Sequence, residues 1–251
     1  MPLEKTLALV IRLVDFSETS RVVTLFTRDF GKVRALAKGA RRLRGPFEAA
    51  LDLLSVCRIV FVSRRSESLD LLTEAQLLER FRGRAGSLGA LYAGYYVAEL
   101  LSELTEDYDP HLELFDEAVR TLGLLSGQTN ISLVVLHFEL LSLAEVGLLP
   151  ALEQCVDCQR AIRPFGSCFF SIPAGGVVCP SCRPGKSKVI AMGAGALRVL
   201  QLLADRHGQA WQRLQVDART LGEVRALVSA CVCHFLGRQP RMLSYLTNLA
   251  S

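Results

Sequence analysis

Arg21-Val22-Val23-Thr24-Leu25-Phe26-Thr27, the turn Asp29-Phe30-Gly31 and Lys32-Val33-Arg34-Ala35-Leu36-Ala37-Lys38-Gly39 are the stretch on which the reading of the fold turns. Its last segment alternates basic with apolar residues, the period-two signature of a strand with one wet face. Upstream, Leu7–Val14 is rich in aliphatics and bounded by the polar cluster Asp15–Ser20. Downstream, beyond a basic loop, Val56–Val62 is another β-rich run and Leu69–Leu77 can supply a fifth strand. Five short strands in about eighty residues, with no long helix among them, predict a small antiparallel barrel or sandwich.

Beyond Gly86 the period changes. Leu88, Leu91, Tyr92, Tyr95, Tyr96, Glu99 and Leu100 fall at helical spacing, as do Leu112, Phe115, Val119 and Leu122. Ile131–Leu148 continues the pattern, and Ala194–His207 and Leu221–Gly237 resume it, predicting an antiparallel helical bundle. Ala151–Lys188 interrupts the helices with cysteines, prolines and Gly175-Gly176, as a small insert would. The expected architecture is α+β: a barrel over residues 1–82, a helical domain over 83–150 and 189–251, and an insert over 151–188.

Charge is segregated along the chain. The formal net charge of +4 divides into +6 for residues 1–84, −9 for 85–150 and +7 for 151–251. Such segregation points to separate modules with at least one face that attracts polyanions. Lys32, Arg34, Lys38, Arg41, Arg42 and Arg44 place six cations in thirteen residues, and no acidic residue lies between Gly31 and Glu48. On a strand Lys32, Arg34 and Lys38 share a parity, and the Gly39–Gly45 loop extends the positive track, which can follow a phosphate backbone without reading bases. The plain alternative is a solvated strand whose charges guard a sheet edge. Phe26, Phe30, Phe47 and Phe61 read as core, not as stacking platforms.

Cys155-Val156-Asp157-Cys158 and Cys179-Pro180-Ser181-Cys182 are two C-x2-C knuckles separated by 20 residues, the spacing of a four-cysteine zinc ribbon. Two thiolates three residues apart on a tight turn can face one ion, and two such turns complete a tetrahedron. With all four positions filled by protein, such a Zn2+ is structural, with no open position for catalysis. Arg160, Arg163 and Arg183 stand near enough in sequence to offset its charge. Cys168 reads as a core thiol or a substitute ligand, and Cys57, Cys231 and Cys233 as packing residues. Non-ligating thiols, or a redox pair, are the alternatives.

No catalytic reading emerges. Walker A, G-x-S-x-G and H-E-x-x-H patterns are absent from the sequence. His111, His137, His207 and His234 read as caps or surface residues. The acidic run of Glu99, Glu103, Glu106, Asp107 and Asp109 can in principle hold Mg2+ for a nuclease, but its turn setting favours a solvated helix end. A scaffold or a zinc-ribbon transcription factor is a third possibility. The first residues lack the pattern of a secretory leader, and no apolar run reaches the length of a membrane span, so the expected location is cytoplasmic.

The order of these parts, a basic barrel and then helices interrupted by a four-cysteine ribbon, resembles the RecO family of bacterial recombination mediators. The resemblance runs through Val22-Val23-Thr24-Leu25-Phe26-Thr27, Phe30-Gly31-Lys32 and Ala37-Lys38-Gly39-Ala40-Arg41-Arg42. It continues through Phe138-Glu139, Leu148-Leu149-Pro150, Phe170-Ser171 and Gly175-Gly176-Val177-Val178 with both cysteine knuckles. It implies an N-terminal OB-fold that binds single- and double-stranded DNA and anneals complementary strands without ATP. It also implies work with RecR and single-strand-binding protein to load RecA, and hence association with the nucleoid. Carried over by position, the DNA contacts are Lys32, Arg34, Lys38, Arg41, Arg42 and Arg44, and the metal ligands are Cys155, Cys158, Cys179 and Cys182. For the acidic tail of single-strand-binding protein, Arg198, Arg206 and the Leu197–Leu203 stripe are candidates, with core packing the competing role for the leucines.

Overall fold

The computed structural model describes residues 2–42, 47, 50–64, 69–162 and 167–247. They form two compact units, Met1–Gln128 with Arg241–Ser251, and Thr129–Pro240.

The first unit begins with five strands: β1 (Leu3–Asp15), β2 (Arg21–Thr27), β3 (Gly31–Ala37), β4 (Ser55–Val62) and β5 (Asp70–Arg80). They close in the order β1-β2-β3-β5-β4, the arrangement of a five-stranded OB barrel. Long β1 serves both sides of the ring. Its first half pairs with β4 and its second with β2, and the strand shifts register between Val10 and Arg12 so that it can bend from one partner to the other. The barrel is not wholly antiparallel, as the sequence had led us to expect, because β3 runs parallel to β5. An odd number of strands cannot alternate in direction around a closed ring, so one parallel pair is obligatory.

Period-two alternation decides what fills the barrel. Ala8, Val10, Val23, Leu25, Val33, Ala35, Ala37, Cys57, Ile59, Phe61 and Leu72 point inward and are buried. Alanines at positions 8, 35 and 37 suit so narrow an interior, while Phe47, Ala50 and Leu51 join the same core. Phe30 stands edge-on to Phe61 with ring centres 5.5 Å apart. Phe30, Phe47 and Phe61 thus pack in or against the barrel core, while Phe26, itself fully buried, faces outward with its ring 6.3 Å from that of Phe115.

Two helices complete this unit with a short terminal one: α1 (Leu88–Leu104), α2 (Leu112–Ser126) and, near the end of the chain, α6 (Leu243–Thr247). The Ser87 side chain caps α1 by accepting the Ala90 N–H. The Glu99 carboxylate on α1 accepts the backbone N–H groups of Arg241 and Met242, just before α6. Between α1 and α2 the acidic linker runs along β3. β5 pairs with β3 only over Ala35–Ala37. At Lys32 the linker takes that place, through a parallel bridge to Asp107 and a Tyr108 N–H donated to the Lys32 carbonyl. The Tyr108 hydroxyl donates to the buried Asp70 carboxylate at the start of β5, which also accepts the Arg64 N–H. Burial first, then Asp70, pushes the phenol up to about 12, so it stays a donor.

The second unit holds α3 (Ile131–Glu145), a small sheet of β6 (Ser167–Ser171), β7 (Gly176–Val178) and β8 (Val189–Gly193) in the order β7-β6-β8, then α4 (Ala194–Leu203) and α5 (Ala218–Leu236). Asn130 and Asp217 cap α3 and α5 through their side chains, and Gly237 ends α5 in the left-handed conformation. α3 is buried on almost every side, which explains its lack of a polar face. It carries two polar groups into this core. The Glu139 carboxylate, 0% exposed, is neutralised by the Arg225 guanidinium from α5. His137, expected at a cap or the surface, is also fully buried, where its ring stacks on Trp211 at 4.2 Å and Nδ1 donates to the Leu203 carbonyl. No helix among the described residues is long and apolar enough to cross a membrane.

Gly31 shows how tightly the linker sits. Its φ of +66° favours glycine, and a Cβ there would collide with the Asp109 carbonyl. Gly86 has a φ of +75° with open space around it. Gly86→Ala is expected to cost about 1–2 kcal/mol, the conformational penalty alone, whereas Gly31→Ala should cost about 2–4 kcal/mol by adding the collision. Urea midpoints at constant m-value measure both, and equal losses would show that the linker is not docked at residue 31.

Candidate functional site: a cationic barrel end and a four-cysteine centre

β3 distributes its basic residues unequally. Its inward positions are buried, and Lys32, Arg34, Leu36 and then Lys38 face outward. Their surroundings differ. The Lys32 ammonium, only 13% exposed, donates to the carbonyls of Ser102 at 2.8 Å and Thr105 at 2.6 Å. It thereby satisfies carbonyls at the C-terminal end of α1, where a cation also meets the negative pole of the helix. Arg34 is 61% exposed but forms an ion pair with Asp107 at 2.6 Å. Arg41 lies across the end of the β1–β2 hairpin, its guanidinium reaching the Ser17 carbonyl at 3.2 Å and Asp15 at 3.6 Å. Lys38 and Arg42 are exposed and form no ion pair among the described residues. Arg44 lies outside the described residues.

Lys38, Arg41 and Arg42 thus gather at one end of the barrel, where the chain leaving β3 meets the loop joining β1 to β2. The Arg41 N–H donates to the Thr19 carbonyl at 3.1 Å and ties the two loops together. Two residues of this surface escaped the reading of the sequence. Arg12, exposed on β1, stands in the same cross-strand row as Thr24 and Arg34. Phe16 projects from the hairpin loop. The register shift beside Arg12 changes which residues of β1 face outward, so parity counted from the strand's first half misassigns it; the position of Phe16 outside any strand was the available signal for that residue.

The second candidate lies in the ribbon. Cys155 and Cys158 come from the loop after α3, and Cys179 and Cys182 flank the turn after β7. Their four sulfurs all lie within 4.8 Å of one another, and among the described residues this is the one group of His, Cys, Asp or Glu so assembled. The acidic run of residues 99–109 forms no such group there. Cys158 Sγ and Cys179 Sγ are 3.7 Å apart, against about 3.8 Å for an edge of a tetrahedron with Zn–S bonds of ~2.3 Å. Each knuckle turns its backbone toward sulfur as well. The Cys179 N–H points at Cys155 Sγ at 3.4 Å. Burial opposes ionisation of Cys155, but backbone N–H groups of residues 157, 158 and 179 outweigh it and hold the thiol down at about 6. Hydrogen bonding with Cys179 and Cys158 pushes Cys182 up to about 12, so the four sulfurs share their protons unequally. The donor set therefore fits a thiophilic ion with four protein ligands, which would cross-link both knuckles and leave no position for water. Lys186, paired with Asp157 at 2.9 Å, and Arg183, 4.3 Å above the Phe169 ring, bring positive charge to the same module. Arg163 lies outside the described residues.

The remaining thiols behave otherwise. Cys57 and Cys168 are buried in their sheets, and Cys231 and Cys233 lie on α5. Burial raises all four, Cys57 to about 11 and Cys231, with Glu139 nearby, to about 12. Protonated thiols of this kind pack as small apolar groups. Of the α4 candidates, Leu197, Leu200 and Leu203 are buried in the core, and Arg206 is paired with Glu145. Arg198 lines a cleft of about 690 Å³ with Leu149, Pro150, Leu152, Ile162 and Gln201.

The chain thus joins a closed five-stranded OB barrel with a basic end to helices and a four-cysteine cluster, which sets its architectural class. Comparison with known sequences makes the assignment specific. Residues 1–81 match the family described as recombination protein O N terminal, and residues 85–243 match recombination protein O C terminal. The DNA repair protein RecO of Rhodopirellula baltica is 48% identical over 199 residues, covering 79% of this chain and 74% of that protein. The DNA repair protein RecO of Anaeromyxobacter dehalogenans strain 2CP-C is 34% identical over 245 residues, 98% of this chain and 96% of its own length. The chain belongs to the RecO family, and this membership sets it among recombination and repair proteins.

The sulfur geometry leads to a direct test. Cys179→Ser with Cys182→Ser should abolish the roughly one equivalent of bound zinc expected per chain, whereas Cys168→Ser and Cys231→Ser should leave it intact. Elemental analysis of the purified proteins reads the result, and zinc retained by the double variant would refute the four-thiol centre.

Proposed function

We propose that this protein is a recombination mediator that binds single- and double-stranded DNA without sequence preference and anneals complementary strands. In this reading it also acts with RecR to help load RecA onto DNA coated by single-strand-binding protein. The observation that carries the DNA-binding part is the exposed cationic end of the OB barrel, formed by Lys38, Arg41 and Arg42, in a chain of this family. Arg34 contributes once a phosphate displaces Asp107, and Arg44, outside the described residues, is a further proposed contact. Lys32 acts through the barrel by holding the end of α1.

Annealing on such a surface needs no catalytic group. Two strands repel each other through their phosphates. A cationic surface that exchanges condensed counterions for lysine and arginine lowers that repulsion, and base pairing supplies the driving free energy. The cations are flexible and address phosphates, so the preference for sequence is small. Zn2+ on Cys155, Cys158, Cys179 and Cys182 has a structural role, fixing the ribbon as a small module. The acidic tail of single-strand-binding protein is the proposed occupant of the cleft beside Arg198. Its apolar residues would meet the Leu149–Pro150 wall and its carboxylates the Arg198 guanidinium, at a rim that also carries the opposing charges of Glu153 and Asp205.

Replacing both Lys38 and Arg42 with Ala should weaken binding to every DNA sequence alike and reduce the slope of log K against log salt by about 1.4–1.8, two phosphate contacts' worth. Lys32→Ala should instead lower the urea midpoint while leaving that slope nearly unchanged. If the wild-type protein at low ionic strength neither retains oligonucleotides nor accelerates their pairing, the proposed function is wrong.

A further inference from the structure

Phosphate contacts alone would leave this barrel unable to tell a single strand from a duplex. The outer face of β1, β2 and β3 carries a further arrangement. Cross-strand register sets Arg12, Thr24 and Arg34 in one row, and Val14, Val22, Leu36 and Leu71 in the next toward the barrel's open end. Rows two residues apart are separated by about 6.8 Å and neighbouring strands by about 4.8 Å, so Arg12 and Arg34 stand roughly 10 Å apart on either side of Thr24. Past the apolar row come Phe16 from the β1–β2 loop and Lys38 after β3. Phe16 is 64% exposed, and Val14 beside it is 43% exposed.

A single exposed aromatic is ordinary on a protein surface; what distinguishes this one is the fixed backbone of the loop that carries it. The Phe16 N–H donates to the Ser20 carbonyl at 3.0 Å, Ser17 N–H to the same oxygen at 3.2 Å, and Arg41 fastens the loop to the chain leaving β3. Asp15, the acid next to it, is neutralised by Arg21 at 2.9 Å and approached by Arg41. Glu18 is exposed in the same loop and disfavours a phosphate at the tip, though not an uncharged ring. The face therefore presents cations at its margins, an apolar strip between them and an exposed ring on a fixed loop at its end. This matches a polynucleotide whose phosphates run along Arg12, Arg34 and Lys38 and whose unpaired bases turn inward.

We infer that Phe16 is the stacking platform for an unpaired nucleobase, with Val14, Val22 and Leu36 forming the apolar floor beside it, and that this subsite makes the barrel prefer single strands. The inference rests on the DNA-binding function proposed above. A base buried in a duplex keeps both faces against its neighbours and cannot reach the ring, so only single strands gain from Phe16.

Affinity for oligo(dT) and for a blunt duplex of equal length, measured with the full-length zinc-containing protein across a salt series, tests it. Phe16→Ala should weaken oligo(dT) binding roughly ten-fold, leave the duplex within about two-fold and keep both salt slopes, because the ring carries no charge. Phe16→Trp should retain affinity, and its emission should be quenched by oligo(dT) but not by the duplex. The chain's one native tryptophan, Trp211, is fully buried and supplies a constant background. Equal losses on both DNAs, no loss on either, or unquenched Phe16→Trp emission would overturn the inference while leaving the phosphate contacts standing. So would an effect of Phe16→Ala confined to self-association, seen by sedimentation. Failure of the wild-type protein to bind either DNA would instead remove the proposed function, and this subsite with it.

Discussion

The ammonium of Lys32 is the tie on which the first unit depends. It sits on an outward position of β3, yet it directs its hydrogen bonds to the Ser102 and Thr105 carbonyls, where α1 has run out of its own donors. A helix end buried without partners is strongly destabilising. A lysine that reaches across from the sheet supplies donors and a compensating charge together. The linker that follows is then delivered along β3, where Asp107 faces Arg34 and the Tyr108 hydroxyl meets Asp70. Remove the lysine, and the same carbonyls, the linker and the glycine turn beneath it lose their common anchor.

That arrangement also separates two jobs that look alike in the sequence. Lys32 and Arg34 occupy adjacent outward positions of one strand with the same charge, and Lys38 continues the series. Solvent exposure and backbone carbonyl partners, not charge, distinguish them, for Lys32 and Arg34 both lie within ion-pair distance of Asp107. Lys38 and Arg42 stay in water, where displacing counterions is favourable. Lys32 is surrounded by carbonyls and would have to abandon them. Arg34 lies between these extremes, exposed but already holding an anion.

Strand periodicity and cysteine spacing were legible because each reflects a local rule. β3 alternates inward apolar residues with mostly basic outward ones and β2 sets Val23 and Leu25 inward, so the barrel could be read from the stretch between Arg21 and Gly39. Two C-x2-C turns carry their own geometry, and the sulfurs converge as that spacing requires. What could not be read depends on partners distant in the chain. The capping role of Lys32 is set by residues 70 and 73 positions away. The parallel β3–β5 pair follows from closure of an odd ring, which no strand encodes alone. His137 looked like a surface or capping residue because a polar side chain in a helix usually is one, and only the stack on Trp211 and the Leu203 carbonyl reveal its burial. Phe16 was overlooked for the opposite reason, being an apolar residue in a polar loop, where periodicity has nothing to say.

The linker alongside β3 has one more effect. β5 reaches β3 only from Ala35 onward, so the earlier part of that strand would otherwise offer bare amide and carbonyl groups along a seam in the wall. Such a seam is a template on which a second polypeptide can zip by backbone pairing. With Asp107 and Tyr108 lodged against Lys32, the template is occupied from within the same molecule, and negative side chains line its outside. Two copies of the barrel are thereby kept from fusing edge to edge along this strand.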